Sequence, residues 1–319
     1  MNDLKKFFKT IKELWSNPKL KGTVQLVFWI LFFIIVALLF RTSSNNRNVG
    51  IQNSLNDSSN SSRDGQLFER NIYKFRSVTA ILIILNISIF MLQVIYFYWY
   101  YDKKGLSWFC LLISWGSFQG GKIRYHYQYF RFITSTFLHS SSAHVGSNCL
   151  SLFFLGFRVE NEINNKWYYF LLYMISGLVG HFNTLIFKVD SSSVGASGAI
   201  IGLYGTWVIY FMLNYRNMTE RKRYTYATLF LFLFINLFSG LSEGQENINM
   251  ASHIGGFIGG FCFSIILSYK LNYRMRSNNK NIKRLYYYSI IFLAVFPIIS
   301  LVCLYLKKVS RAVDFICRF

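Results

Sequence analysis

The stretch "SSSVGASGAIIG" (Ser191–Gly202) is a polar, glycine-punctuated run that leads straight into an apolar segment reaching residue 214. How its serine is read decides how the rest of the chain is read. Small residues four apart let membrane helices approach closely, and a GASG motif met alone is most simply that. The other reading is chemical. A serine on a glycine-loosened helix start lies beside backbone N–H groups that lack intrahelical partners and can polarise an acyl oxygen.

The surrounding chain is that of a membrane protein. Its 319 residues are 53% hydrophobic and 19% aromatic, with two prolines and 15% charged residues, where a soluble domain carries about 25%. The charges sit in short blocks between apolar runs long enough to span a bilayer. Spans are predicted at roughly 77–101, 142–158, 167–188, 195–214, 225–241 and 250–270. A seventh, at 286–306, contains Pro297, which a membrane helix tolerates. Residues 24–40, "VQLVFWILFFIIVALLF", are a candidate N-terminal span, and the Ser/Asn-rich residues 41–66 are too poor in apolar side chains to fold alone. The aromatic segment 102–141 is too apolar for a free loop and suits the membrane interface.

The predicted fold class is therefore an all-α polytopic membrane protein, multi-pass in a plasma membrane or endomembrane. Three regions follow: a basic segment with the candidate span and polar linker (1–76), a six-helix core (77–270), and a basic loop with the additional span and tail (271–319).

The formal net charge of +21 points to topology rather than to nucleic acid, because the basic residues lie in loops and tails with no stacking platform beside them. The loops 214–224 and 270–284 are basic, whereas 241–250 carries Glu243 and Glu246 and no base. The positive-inside rule makes the first two cytosolic and the third extracytoplasmic. The lysines before residue 24 and the basic stretch 102–131 pull the other way. The five cysteines show no CxxC spacing and the chain has no HExxH, so no metal site and no cofactor are predicted.

A serine nucleophile needs a base. Of the five histidines, His126, His139, His144, His181 and His253, only the one in "MASHIGGFIGG" (Met250–Gly260) falls at the depth of Ser197 in another span. Gly255/Gly259 and Gly256/Gly260 form two overlapping GxxxG ridges after it. Such ridges pack helices closely, and close helices let an imidazole reach a hydroxyl. In "FLHSSSAHVGSN" (Phe137–Asn148), His144 and Asn148 are four apart and share a helix face. An imidazole and an amide donor there suit a developing oxyanion, and equally suit interhelical hydrogen bonding. His139 is read as pinning the loop.

Together these elements resemble the rhomboid family of intramembrane serine proteases. "FRFITSTFLH" (Phe130–His139) resembles that family's WR-containing segment and "LGFRVEN" (Leu155–Asn161) the end of its second core helix. The resemblance covers about 77–270 and implies a six-helix core, with the extra C-terminal span matching the six-plus-one layout of many eukaryotic members. It implies Ser197 as nucleophile, His253 as general base, and His144 and Asn148 as oxyanion donors helped by the Ser197 N–H. Other proteins' transmembrane segments, cut near their extracytoplasmic end, would be the substrates and the lipid bilayer the medium. Two positions depart from the pattern: Phe130 replaces a tryptophan, and Ile201 replaces a tyrosine that stacks on the catalytic histidine.

Other classes fit less well. No aspartate lies within a predicted span, which removes an aspartyl intramembrane protease. GxSxG is absent around Ser197, which removes an α/β-hydrolase elbow. A transporter would predict inverted repeats and broken helices. The remaining alternative is a catalytically inactive rhomboid-like protein that binds and escorts membrane proteins.

Overall fold

Val78 and Thr79 open the first helix, α1 (Val78–Tyr96), by donating their backbone N–H groups to the Glu160 carboxylate at 2.8 and 3.0 Å. A carboxylate there satisfies orphan donors and complements the helix dipole. In this computed structural model the residues described are 77–215, 219–220, 223–224, 227–228, 249–271, 280–310 and 317. The candidate span 24–40, the polar linker, the loop 241–248 and nearly all of the expected span 225–241 lie outside them. The chain divides into two units, Val78–Ile316 and Met1–Ser77 with Cys317–Phe319, and all the helices below belong to the first.

The molecule is an all-α polytopic membrane fold. Among the described residues, Val78–Lys104, Lys166–Phe187, Met250–Lys270 and Asn281–Leu306 are helices long and apolar enough to cross a membrane, and Ser197–Leu213 is a shorter apolar helix. The first continues past α1 through a π turn, Phe97–Tyr101, and a 3-10 turn, Asp102–Lys104. Tyr98 and Trp99 are exposed there while Tyr101 is buried, the mixture that suits amphipathic rings at an interface.

The segment after it is folded into short pieces: α2 (Trp108–Trp115), β1 (Phe118–Gln119), α3 (Gly120–His126) and α4 (Arg131–Thr134). Buried Arg131 braces them, donating to the Ser117 carbonyl at 2.7 Å and to Gln128 Oε1 at 2.8 Å. β1 pairs antiparallel with β2 (Ser192–Ser193), which sits just ahead of the GASG motif, with Phe118 opposite Ser193. This two-stranded pair is an addition to the all-helical expectation.

The expected span at 142–158 is a compound helix. α5 (Ser142–Ser151) passes through a π turn, Leu152–Gly156, into α6 (Phe157–Ile163). Then come α7 (Lys166–Phe187), α8 (Ser197–Asn214), α9 (Met250–Leu271) and α10 (Lys280–Leu306). The 18 residues of α8 rise about 27 Å, less than the ~30 Å hydrocarbon core.

α7, α8 and α9 pack on one another, and α10 packs against α7 and α9. The two GxxxG ridges of α9 divide between its neighbours. A Cβ at Gly256 or Gly260 would overlap the carbonyls of Gly198 and Gly202 on α8, whereas one at Gly255 or Gly259 would strike Asn183 and Val179 on α7. Small residues therefore bring three backbones into contact, the packing mode membranes favour. Buried hydroxyls in these helices bond back along their own turns: Ser176 to the Leu172 carbonyl, Thr184 to Gly180 and Ser264 to Gly260. That satisfies groups for which a bilayer offers no water.

Candidate active site

Ser197 is the first residue of α8, and Ala196 before it provides no side-chain cap. The leading N–H groups of the helix are thereby left for another acceptor. Gly195 enters the turn at φ +116°, a left-handed backbone that favours glycine. Its N–H donates to the Ser135 carbonyl at 2.8 Å, which ties the turn to the chain after α4. Gly195 is needed for space as well: a Cβ there would come within 2.6 Å of His144 Cε1 and 2.7 Å of His144 Nε2.

His253 lies in the first turn of α9. Its Nε2 is 2.8 Å from Ser197 Oγ, and both side chains are half-buried. Two α7 residues hold the start of α9. Asn183 donates to the Ala251 carbonyl at 2.8 Å, and Thr184 Oγ1 accepts from the Asn249 amide at 2.9 Å. Asn249 Oδ1 accepts in turn from the Ser252 N–H at 3.2 Å. Among the described residues His253 Nδ1 has no hydrogen-bond partner, and none of them orients the ring from behind as a carboxylate does in a triad. The position of the absent stacking tyrosine holds Ile201, buried in α8.

His144 and Asn148 both face this turn from α5. Asn148 Nδ2 lies 3.4 Å from where a Gly195 Cβ would be, on the same side as the His144 ring. The serines of "HSSSAH" divide the work. Ser141 caps α5 by accepting the His144 N–H at 3.2 Å, and Ser140 Oγ lies 3.0 Å from His144 Nδ1. With the Ser140 hydroxyl donating to Nδ1, the imidazole proton sits on Nε2, the nitrogen over Gly195, where it can be donated.

His139 has a larger role than pinning the loop. Its backbone N–H and carbonyl are clasped by the Gln93 amide of α1 at 3.2 and 3.3 Å, and its Nε2 lies 3.1 Å from Asn148 Nδ2. Burial, with His144 nearby, pushes its pKa down to about 3. The neutral ring accepts one amide proton of Asn148, fixes that side chain, and leaves the other proton free.

The structure thus brings together all four site residues read from the sequence: Ser197, His253, His144 and Asn148. Glu160, Gln93, Asn183, Thr184 and Asn249, which support them, were not read from it. Their one signal is polarity within or beside an apolar run. No group of three or more His, Cys, Asp or Glu suited to a metal ion occurs among the described residues.

Comparison with known proteins bears on the same region. The family model of the rhomboid domain matches residues 126–270, from α3 to the end of α9. The chain carries a rhomboid domain. RHOMBOID-like protein 4 of Arabidopsis thaliana is 34% identical over 117 residues, 37% of this chain and 29% of the relative. RHOMBOID-like protein 2 of the same plant is 32% identical over 132 residues, 41% of each chain. The matches thus span less than half the length of either plant relative. The rhomboid protease AarA of Providencia stuartii is 29% identical over 194 residues, 54% of this chain and 66% of AarA. AarA is named a rhomboid protease, so proteases are among the proteins similar to this domain, and the chain is a multi-pass membrane protein.

Proposed function

We propose that this chain is an intramembrane serine endopeptidase that cleaves transmembrane segments of other membrane proteins near their extracytoplasmic end. One observation carries the reading: the 2.8 Å approach of Ser197 Oγ to His253 Nε2 across a glycine-lined seam. That is hydrogen-bond reach for a nucleophile and its base. Residues 77–270 are the catalytic unit in this reading, with 1–76 and 271–319 flanking it.

The residues divide the chemistry as follows. Ser197 attacks the scissile carbonyl while His253 accepts its proton and passes it to the leaving amine. Negative charge on the carbonyl oxygen meets His144, Asn148 and the uncapped N–H groups at the start of α8, donors already in place when the charge develops. Water then deacylates Ser197 with His253 again as base. That His253 Nδ1 has no partner among the described residues agrees with a dyad that lacks an orienting carboxylate.

The decisive experiment incubates a panel of tagged transmembrane helices with wild-type protein and Ser197→Ala, alongside a fluorophosphonate probe. Wild type should cleave at least one member and label, and Ser197→Ala should do neither. A folded wild type that neither labels nor cleaves would instead be an inactive escort protein. The loop charges orient the core with the polar linker 41–66 in the cytosol, so its sequons at Asn56 and Asn60 should stay bare in a glycosylating cell. Glycans at either would invert the orientation.

A further inference from the structure

The last span lies outside the matched rhomboid domain, yet its end and the residues after it reach the loop that delivers Ser197. Ser310 donates its backbone N–H to Asp190 Oδ1 at 2.7 Å, seven positions ahead of Ser197. Tyr125 on α3 donates to the Val309 carbonyl at 3.1 Å, and Arg124 donates to the carbonyls of Leu304 and Lys307. The Lys307 ammonium donates to the Ile186 carbonyl in the last turn of α7. Beneath these bonds Leu304 and Val309 are buried in one apolar cluster with Phe118, Ile123, Phe132, Leu185 and Val189. Val189 belongs to the α7–α8 loop and Phe118 to the strand that pairs with it.

Among the described residues, the loop is also held by the two-residue β1–β2 pair, by Gly120 packed against Val189 and by the Gly195 bond to Ser135. We propose that Lys307–Ser310 is a positioning element for the nucleophile. By holding Asp190 and Val189, this tail sets the depth and direction at which the Ser192–Gly195 turn presents Ser197 to His253. The inference rests on Ser197 being the nucleophile. It adds that a segment beyond the rhomboid domain completes the site.

The test uses the full chain and three variants. Asp190→Ala removes the acceptor for the Ser310 N–H, Asp190→Asn keeps a carbonyl oxygen in its place, and Tyr125→Phe removes the bond to Val309. Fluorophosphonate labelling of Ser197 needs no substrate helix and reports the serine directly. Asp190→Ala should label about three- to tenfold more slowly, the loss of one hydrogen bond. Its kcat on a tagged transmembrane substrate should fall equally with KM unchanged, and Asp190→Asn should restore both. Tyr125→Phe should slow labelling in the same sense, which guards against a folding defect particular to position 190. Wild-type labelling rates in both Asp190→Ala and Tyr125→Phe, or no rescue by Asp190→Asn, would overturn the tail's role. A wild type that does not label at all would remove the nucleophile assignment, and this inference with it.

Discussion

The α8–α9 seam and helix α5 supply the two halves of the site, and they hold their residues by different physics. In the seam, Gly256 and Gly260 lie against the Gly198 and Gly202 carbonyls, and a Cβ at Gly205 would come within 2.6 Å of the Phe257 carbonyl. Backbone rests on backbone, and no rotamer change can relieve an added atom. In α5, Gly146 has nothing within 4 Å of where its Cβ would stand, and the helix's outer residues are exposed. His144 and Asn148 are instead held by polar tethers: Ser140, His139 and, through His139, Gln93. Packing of the first kind is all or none, whereas tethers of the second kind can be cut one at a time.

The largest effect belongs to the seam. Ser197→Ala and His253→Ala should each abolish cleavage, and the double variant should be no worse, because either change already disables the same step. His253→Ala should also lose covalent labelling at an intact Ser197, provided its melting temperature is held. Robust labelling in a folded His253→Ala protein would break the pairing of these two residues.

On α5 the losses should be graded. His144→Ala and Asn148→Ala are each expected to slow cleavage by up to about 10²-fold, the cost of one oxyanion donor, with thermal stability nearly intact. Normal cleavage in both would reduce them to interhelical bonding and erase the functional half of the contrast.

The glycines test the packing half by stability alone. Gly256→Ala should cost about 1–3 kcal/mol through overpacking, read as a lower melting temperature. The same change at Gly146 should add about 0.5–1 kcal/mol, because alanine is the better helix former and meets no neighbour. Equal shifts at the two positions would deny that the seam is the tighter region.

Last is a pH effect on the tether. His139 titrates at about 3 rather than the ordinary 6.5, so as pH falls below 6.5 the unfolded chain takes up its proton first. Stability is therefore lost progressively from about pH 6.5 toward 3. His139→Gln keeps an acceptor for Asn148 and cannot titrate, so its melting temperature should fall less steeply across that window. An unchanged slope would show that His139 does not contribute to acid sensitivity.

Much of this was open to a reader of the sequence. The helical membrane class follows from hydropathy, which is local, and it survives in the four long apolar helices. Ser197 and His253 stood out because each begins an apolar run beside glycines, and His144 and Asn148 because a spacing of four shares a helix face. What sequence could not show was partnership. Nothing local in "LGFRVEN" says that Glu160 caps a helix 82 positions earlier. Nor do two overlapping GxxxG ridges reveal that one meets the serine helix and the other α7.

By itself the sequence determined which residues are of a type suited to chemistry and which segments are apolar, since both are written in side-chain type and period. Only the tertiary structure decided which nitrogen meets the serine, which histidine steadies Asn148, and that the tail after the last span lies against the loop before Ser197. Those depend on the distance between residues far apart in the chain, set where whole helices come to rest on one another.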